Sequence, residues 1–143
     1  MKRVLAVMAL ILSVSSAHAL TAEQNKHYKI GARMIECSAY FRLTSEAALA
    51  VGQQDTATAL ENLKNGWELA GMFVLADGLE DPTRTRKVTA SIQDAMLARL
   101  KGQVQLEGDK WGDLAVKQFD ADCRPYLEYQ ESIIQFMRQQ KTQ

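Results

Sequence analysis

Apolar residues recur at helical spacing along nearly all of the chain. Ile30, Met34, Cys37 and Phe41 follow one another at steps of four, three and four, which is one face of an α-helix. Thr21 with Gln24 three residues on has the form of a capping box, so the first helix is predicted from Thr21 to about Val51. Gly52 supplies a left-handed stop, and Thr44-Ser45 is a place where so long a helix could bend. A second helix is predicted from Asp55 as N-cap to about Ala76, with Leu60, Leu63, Trp67, Ala70 and Val74 as its core stripe. Gly66 and Gly71 flank Trp67. Glycine is costly inside a helix, so these two imply a close neighbouring helix or a kink.

Asp77 to Asp81 is read as a turn. Asp81-Pro82 then opens a third helix with a capping carboxylate and a proline at its first position. Val88, Ile92, Ala95 or Met96, and Leu100 face inward, and Gly102 ends or weakens the last turn. Residues 103–112, with Gly108 and Gly112, are poorly patterned. From Asp113 to about Gln139 the pattern is helical again. Leu114, Phe119 and Cys123 precede Pro125, and Tyr126, Tyr129 or Gln130, Ile133 and Met137 follow it. Proline removes a helix hydrogen bond and clashes with the preceding turn, so a kink or a fresh start is expected there. No strand alternation, internal repeat or low-complexity linker interrupts this series. The expectation is an all-α fold, a four-helix, up-and-down-like bundle.

The N-terminus changes the picture of where the chain folds. Lys2 and Arg3 precede the apolar run Val4–Val14, which is shorter than the roughly 20 residues a bilayer span requires. Ala17-His18-Ala19 closes the segment in an A-x-A pattern. Residues 1–19 therefore read as a signal peptide, residues 20–143 as a single helical domain, and the periplasm, or the outside of the cell, as the destination. In such an oxidising compartment the only two cysteines, Cys37 on the first helix and Cys123 on the last, are expected to form a disulfide tying the bundle together. They lack the C-x-x-C spacing of a redox pair.

Charge narrows the partners. The chain carries 17 basic and 17 acidic residues, and losing Lys2 and Arg3 leaves it slightly acidic, with its basic residues dispersed. That argues against nucleic acid and against a membrane surface, and the lack of a later segment long and apolar enough to cross a bilayer argues against stable membrane insertion. The familiar catalytic constellations are missing. After residue 19 His27 is the single histidine, there is no H-E-x-x-H, G-x-S-x-G or C-x-x-C-H, and the acids Asp77, Glu80 and Asp81 lack the ligand spacing of an EF-hand. Met34, Met72, Met96 and Met137 lie in helical stripes and read as core. The expectation is a protein without catalysis, metal or cofactor of its own. It would act by binding another periplasmic or secreted protein, as an immunity or inhibitor protein or an accessory subunit does. Trp111, Tyr40 and Tyr129 are the candidate exposed aromatic anchors, Trp111 foremost because it sits in the unpatterned link. The alternatives are a periplasmic stress chaperone of the holdase type and, less favoured, a small-molecule carrier in the bundle core.

Overall fold

A computed structural model describes residues 20–141. Residues 1–19, read above as a signal peptide, lie outside the described residues. Helix α1 spans Ala22–Ala50, α2 Gln54–Leu79, α3 Pro82–Glu107, α4 Trp111–Asp122 and α5 Leu127–Gln140. Short 3-10 turns at Gly108–Lys110 and Arg124–Tyr126 lead into α4 and α5. Among the described residues there is no strand.

The ends of the helices follow local chemistry. At α1 the Thr21 hydroxyl accepts from the Gln24 amide at 3.1 Å, and the Gln24 side chain accepts from the Thr21 amide at 2.9 Å, so the capping box is complete. Gly52, with φ at +78°, lies just past the end of α1 as expected. Asp81 caps α3 through its Oδ1, which accepts from the Thr83 and Arg84 amides. Asp55, in contrast, is not the cap of α2. The tight turn through Gly52 starts that helix at Gln54, with Gln53 at the N-cap and no side-chain bond.

Two other helices end later than local signals place them. α2 continues through Asp77 to Leu79 and stops at Glu80, whose φ of 55° places it in the left-handed region. Gly78 and Leu79 are buried, so tertiary contact extends a helix that local signals end three residues earlier. α3 runs past Gly102 to Glu107, its last residues exposed, which makes the first half of the unpatterned 103–112 segment helical.

α1 and α2 lie in backbone contact. A Cβ built at Gly71 would meet Ile35 Cγ1 at 2.7 Å and the Gly31 carbonyl at 2.9 Å. One built at Gly78 would meet the Gln24 carbonyl at 2.8 Å. At the other end the Ser45 hydroxyl donates to the Ala57 carbonyl at 3.0 Å. Rising positions on α1 thus meet falling positions on α2, and the two helices run antiparallel. Gly71 was legible as a close approach; Gly31 and Gly78 complete it.

The main core gathers Met34, Cys37, Trp67, Ala70, Val74, Leu100 and Ile133 from α1, α2, α3 and α5. Cys37 and Cys123 form the disulfide, with Cα atoms 5.8 Å apart across a sequence separation of 86. α4 has no buried residue of its own. It is fastened by Phe119, whose ring makes edge contacts with Tyr40, Phe41 and Trp67 at centroid distances of 5.9, 5.2 and 6.0 Å. The chain then breaks at Arg124-Pro125 and restarts as α5, so the expected fourth helix is two shorter ones.

Candidate functional site

One residue assigned to a core stripe stands outside, and of Tyr129 and Gln130 it is Gln130 that faces inward. Leu63 on α2 is 51% exposed, and Tyr129 on α5 is 44% exposed while its neighbour Gln130 is buried. The reason is the placement of α5. Gln130 and Ile133 turn inward, with Gln130 Nε2 packed at 3.1 Å from where a Cβ on Gly66 would be. That rotation leaves Leu127, Tyr129 and Phe136 on the outside. On α2, Leu69 and Phe73 are also half-exposed, and the Phe73 and Phe136 rings pack together at 5.9 Å, tilted by 60°. An aromatic pair on the surface bridges the two helices.

Beside it lies the contact of α1 with α2. His27 Nδ1 pairs with Asp77 Oδ2. In the neutral imidazole this places the proton on Nδ1 and the lone pair on Nε2. The backbone contact at Gly78, where an added Cβ would lie 3.0 Å from the Tyr28 amide nitrogen and 3.4 Å from His27 Cβ, holds the two groups in this arrangement. A cleft of about 370 Å³ opens here between α1, α2 and α5, lined by His27, Phe73, Val74, Asp77 and Tyr129. A second, of about 300 Å³, shares His27 and Tyr129 and adds Lys26, Ile30 and Tyr126. Glu131 and Arg138 border a further groove between α2 and α5. The result is an apolar, aromatic face rimmed by charges of both signs.

Of the three predicted anchors only Tyr129 belongs to this face. Tyr40 is corrected: it is 5% exposed, packed in the core against Phe119, with its hydroxyl 3.4 Å from Gln118 Oε1. Burial, helped by the Asp122 carboxylate, pushes its pKa up. Trp111 heads α4 and is half-buried. Its Nε1 is inaccessible and has no hydrogen-bond partner among the described residues, so the indole presents no free polar edge for recognition. Phe73, Phe136 and Leu69 were missed. The available signal was that Phe136 and Phe73 remain once each helix's stripe has been assigned, and a leftover aromatic on a polar flank points outward.

Among the described residues no three His, Cys, Asp or Glu side chains come together as a metal-holding group. No described helix is long and apolar enough to cross a membrane. Comparison of the chain with protein-family models, with curated proteins and with solved structures gives no match.

Proposed function

We propose that this is an exported helical protein that binds another exported protein through the α2–α5 face, in the manner of an inhibitor, immunity protein or accessory subunit, without catalysis of its own. In this reading residues 1–19 are removed on export. The remainder packs as an up-and-down-like bundle, with α4 and α5 together in the place of the fourth helix. The single observation that carries the proposal is the half-exposed Phe73–Phe136 pair flanked by Leu69 and Tyr129. Aromatic side chains that leave apolar area in water are the anchors around which protein interfaces are built. The rim favours a protein over the other occupants. Lys26 and Arg138 are interspersed with Asp77 and Glu131, whereas a nucleic acid or an acidic membrane requires a basic cluster.

The test is capture from periplasmic extract and secreted proteins with the tagged mature chain, at neutral and acidic pH, beside Phe73→Ser, Tyr129→Ser and Phe136→Ser variants of unchanged helicity. The proposal expects one dominant partner, with affinity falling about tenfold or more when either member of the phenylalanine pair is replaced. A partner bound equally well by all three variants overturns the assignment of the face. A diffuse set of clients appearing only in acid, with no dominant partner at neutral pH, replaces it with a holdase, and an empty capture with a small-molecule carrier.

A further inference from the structure

The N-terminal half of α3 carries a polar seam beside its apolar contacts. Of the six buried side chains of α3 the first three, Thr85, Thr89 and Gln93, are polar, and only then come Met96, Leu97 and Leu100. The Thr85 hydroxyl donates back to the Asp81 carbonyl of its own helix. The Thr89 hydroxyl is buried with no hydrogen-bond partner among the described residues. Gln93 reaches outward, its Nε2 donating to Ser38 Oγ on α1 and to Glu68 Oε2 on α2, each at 3.1 Å. A buried hydroxyl without a partner costs free energy that water would restore, so hydration of this seam favours separation.

Charges close the rim of the same interface. Lys101 on α3 pairs with Glu46 on α1 at 3.0 Å, and Asp94 on α3 lies 4.0 Å from Arg42 on α1. Arg42 also meets Glu46, and on α2 Lys64 meets Glu68. Glu36 on α1 lies across a groove from Arg99 on α3, and Asp122 on α4 and Arg99 both act on the Tyr40 hydroxyl. Lys64 also meets Glu61 at 2.6 Å on its own helix, so the charge that faces across from α1 to α3 is that of Glu46, and its protonation leaves Lys101 on α3 and Arg42 on α1 as cations facing each other across the seam. For Glu46 the direction is explicit. The hydrogen bond from Lys101, and then its charge and Arg42, lower the pKa from the ordinary 4.5. A carboxylate depressed in the folded state contributes stability that is complete above 4.5 and is lost as pH falls through the lowered value.

The backbone allows α3 to leave as a unit. It is bounded by two residues of positive φ, Glu80 at 55° and Gly108 at 51°. The disulfide joins α1 to the end of α4 without involving α3, and the glycine contacts of α1 with α2 do not involve it either. Under it lies a cluster of Ile35, Leu75 and Leu79, onto which Val88 and Ile92 of α3 pack.

We propose that α3 is an acid-released cover: on acidification it detaches from α1 and α2, withdrawing Met96 and Leu100 from the main core and uncovering the Ile35–Leu75–Leu79 cluster, while the glycine-packed α1–α2 pair stays folded and the disulfide keeps α4 tied to α1. This device is independent of partner docking at the α2–α5 face.

Hydrogen exchange of the disulfide-bonded mature chain, read by mass spectrometry at neutral pH and at about pH 3, below the ordinary carboxylate range, tests it. After correction for the intrinsic rate, α3 peptides should lose about tenfold or more protection relative to α1 and α2 peptides, with a rise in binding of an apolar dye. Filling the seam with apolar groups in a Thr89→Val, Gln93→Leu variant should keep α3 protected in acid. A Glu46→Gln, Asp94→Asn variant, which leaves the seam intact, should raise α3 exchange at neutral pH. Equal loss in all three helices, α3 protection retained in acid, or neutral-pH exchange unchanged in the second variant overturns the proposal.

Discussion

A methyl group is enough to separate two kinds of glycine in this chain. At Gly71 an added Cβ would meet Ile35 Cγ1 at 2.7 Å and the Gly31 carbonyl at 2.9 Å, and the carbonyl belongs to a helix that cannot yield locally. Gly71→Ala is expected to lower stability by about 1–3 kcal/mol, the usual cost of overpacking, even after the gain in helix propensity. At Gly102, inside α3, nothing lies within 4 Å of the added atom. Gly102→Ala should therefore stabilise by up to about 1 kcal/mol. Urea denaturation of the two variants beside the parent chain reads both signs. The sequence reads Gly71 as a close approach and Gly102 as a helix end, whereas both are interior helix positions. What distinguishes them is the presence of α1 against one and water against the other.

Among the elements, α4 depends on its neighbours more than the others do. It buries no residue fully, and its attachment runs through the Phe119 ring and, at its end, Cys123. Phe119→Ala should lower stability by about 3 kcal/mol, because it removes three edge-on aromatic contacts together with the ring's own burial. In the reduced protein the same change should release α4 ahead of the rest, seen as early loss of protection at residues 111–122 by hydrogen exchange. α3 is the pH-sensitive element. Asp81 at its N-cap is held below its ordinary 3.8 by the Arg84 and Thr83 amides, and Glu46 below 4.5 by Lys101. Both carboxylates stabilise the fold above those values and cease to as pH falls through the lowered ones. Glu46→Gln should accordingly flatten the acid limb of the stability–pH curve, as measured by denaturation midpoints across that range.

For the whole molecule the disulfide is the long-range constraint. It closes a sequence separation of 86, and in the loop-entropy account removing such a link costs about 4–5 kcal/mol. Replacing Cys37 and Cys123 by serine, or reducing the bond, is expected to lower the melting temperature markedly, and a Tm unchanged by reductant would refute the structural role. The antiparallel α1–α2 pair, in contact through glycine backbones rather than through the bridge, should retain its helicity longest on reduction, followed by circular dichroism.

Much of this could be read from the chain alone, because it rests on interactions close in sequence. The 3.6-residue stripes, the Thr21–Gln24 box, the Asp81-Pro82 start and the Pro125 break depend on neighbours within one turn. Two cysteines leave one intramolecular pairing, so Cys37–Cys123 followed by arithmetic. Tertiary structure decided what depends on distant neighbours. It carried α2 on to Leu79 by burying Gly78, and it put Tyr40 in the core because Phe119 arrives from a helix far along the chain. It turned α5 so that Gln130 points in while Tyr129 and Phe136 point out. Periodicity gives the width of an apolar stripe but not the angle at which the next helix lies on it, and that angle determines which stripe-edge aromatics meet water.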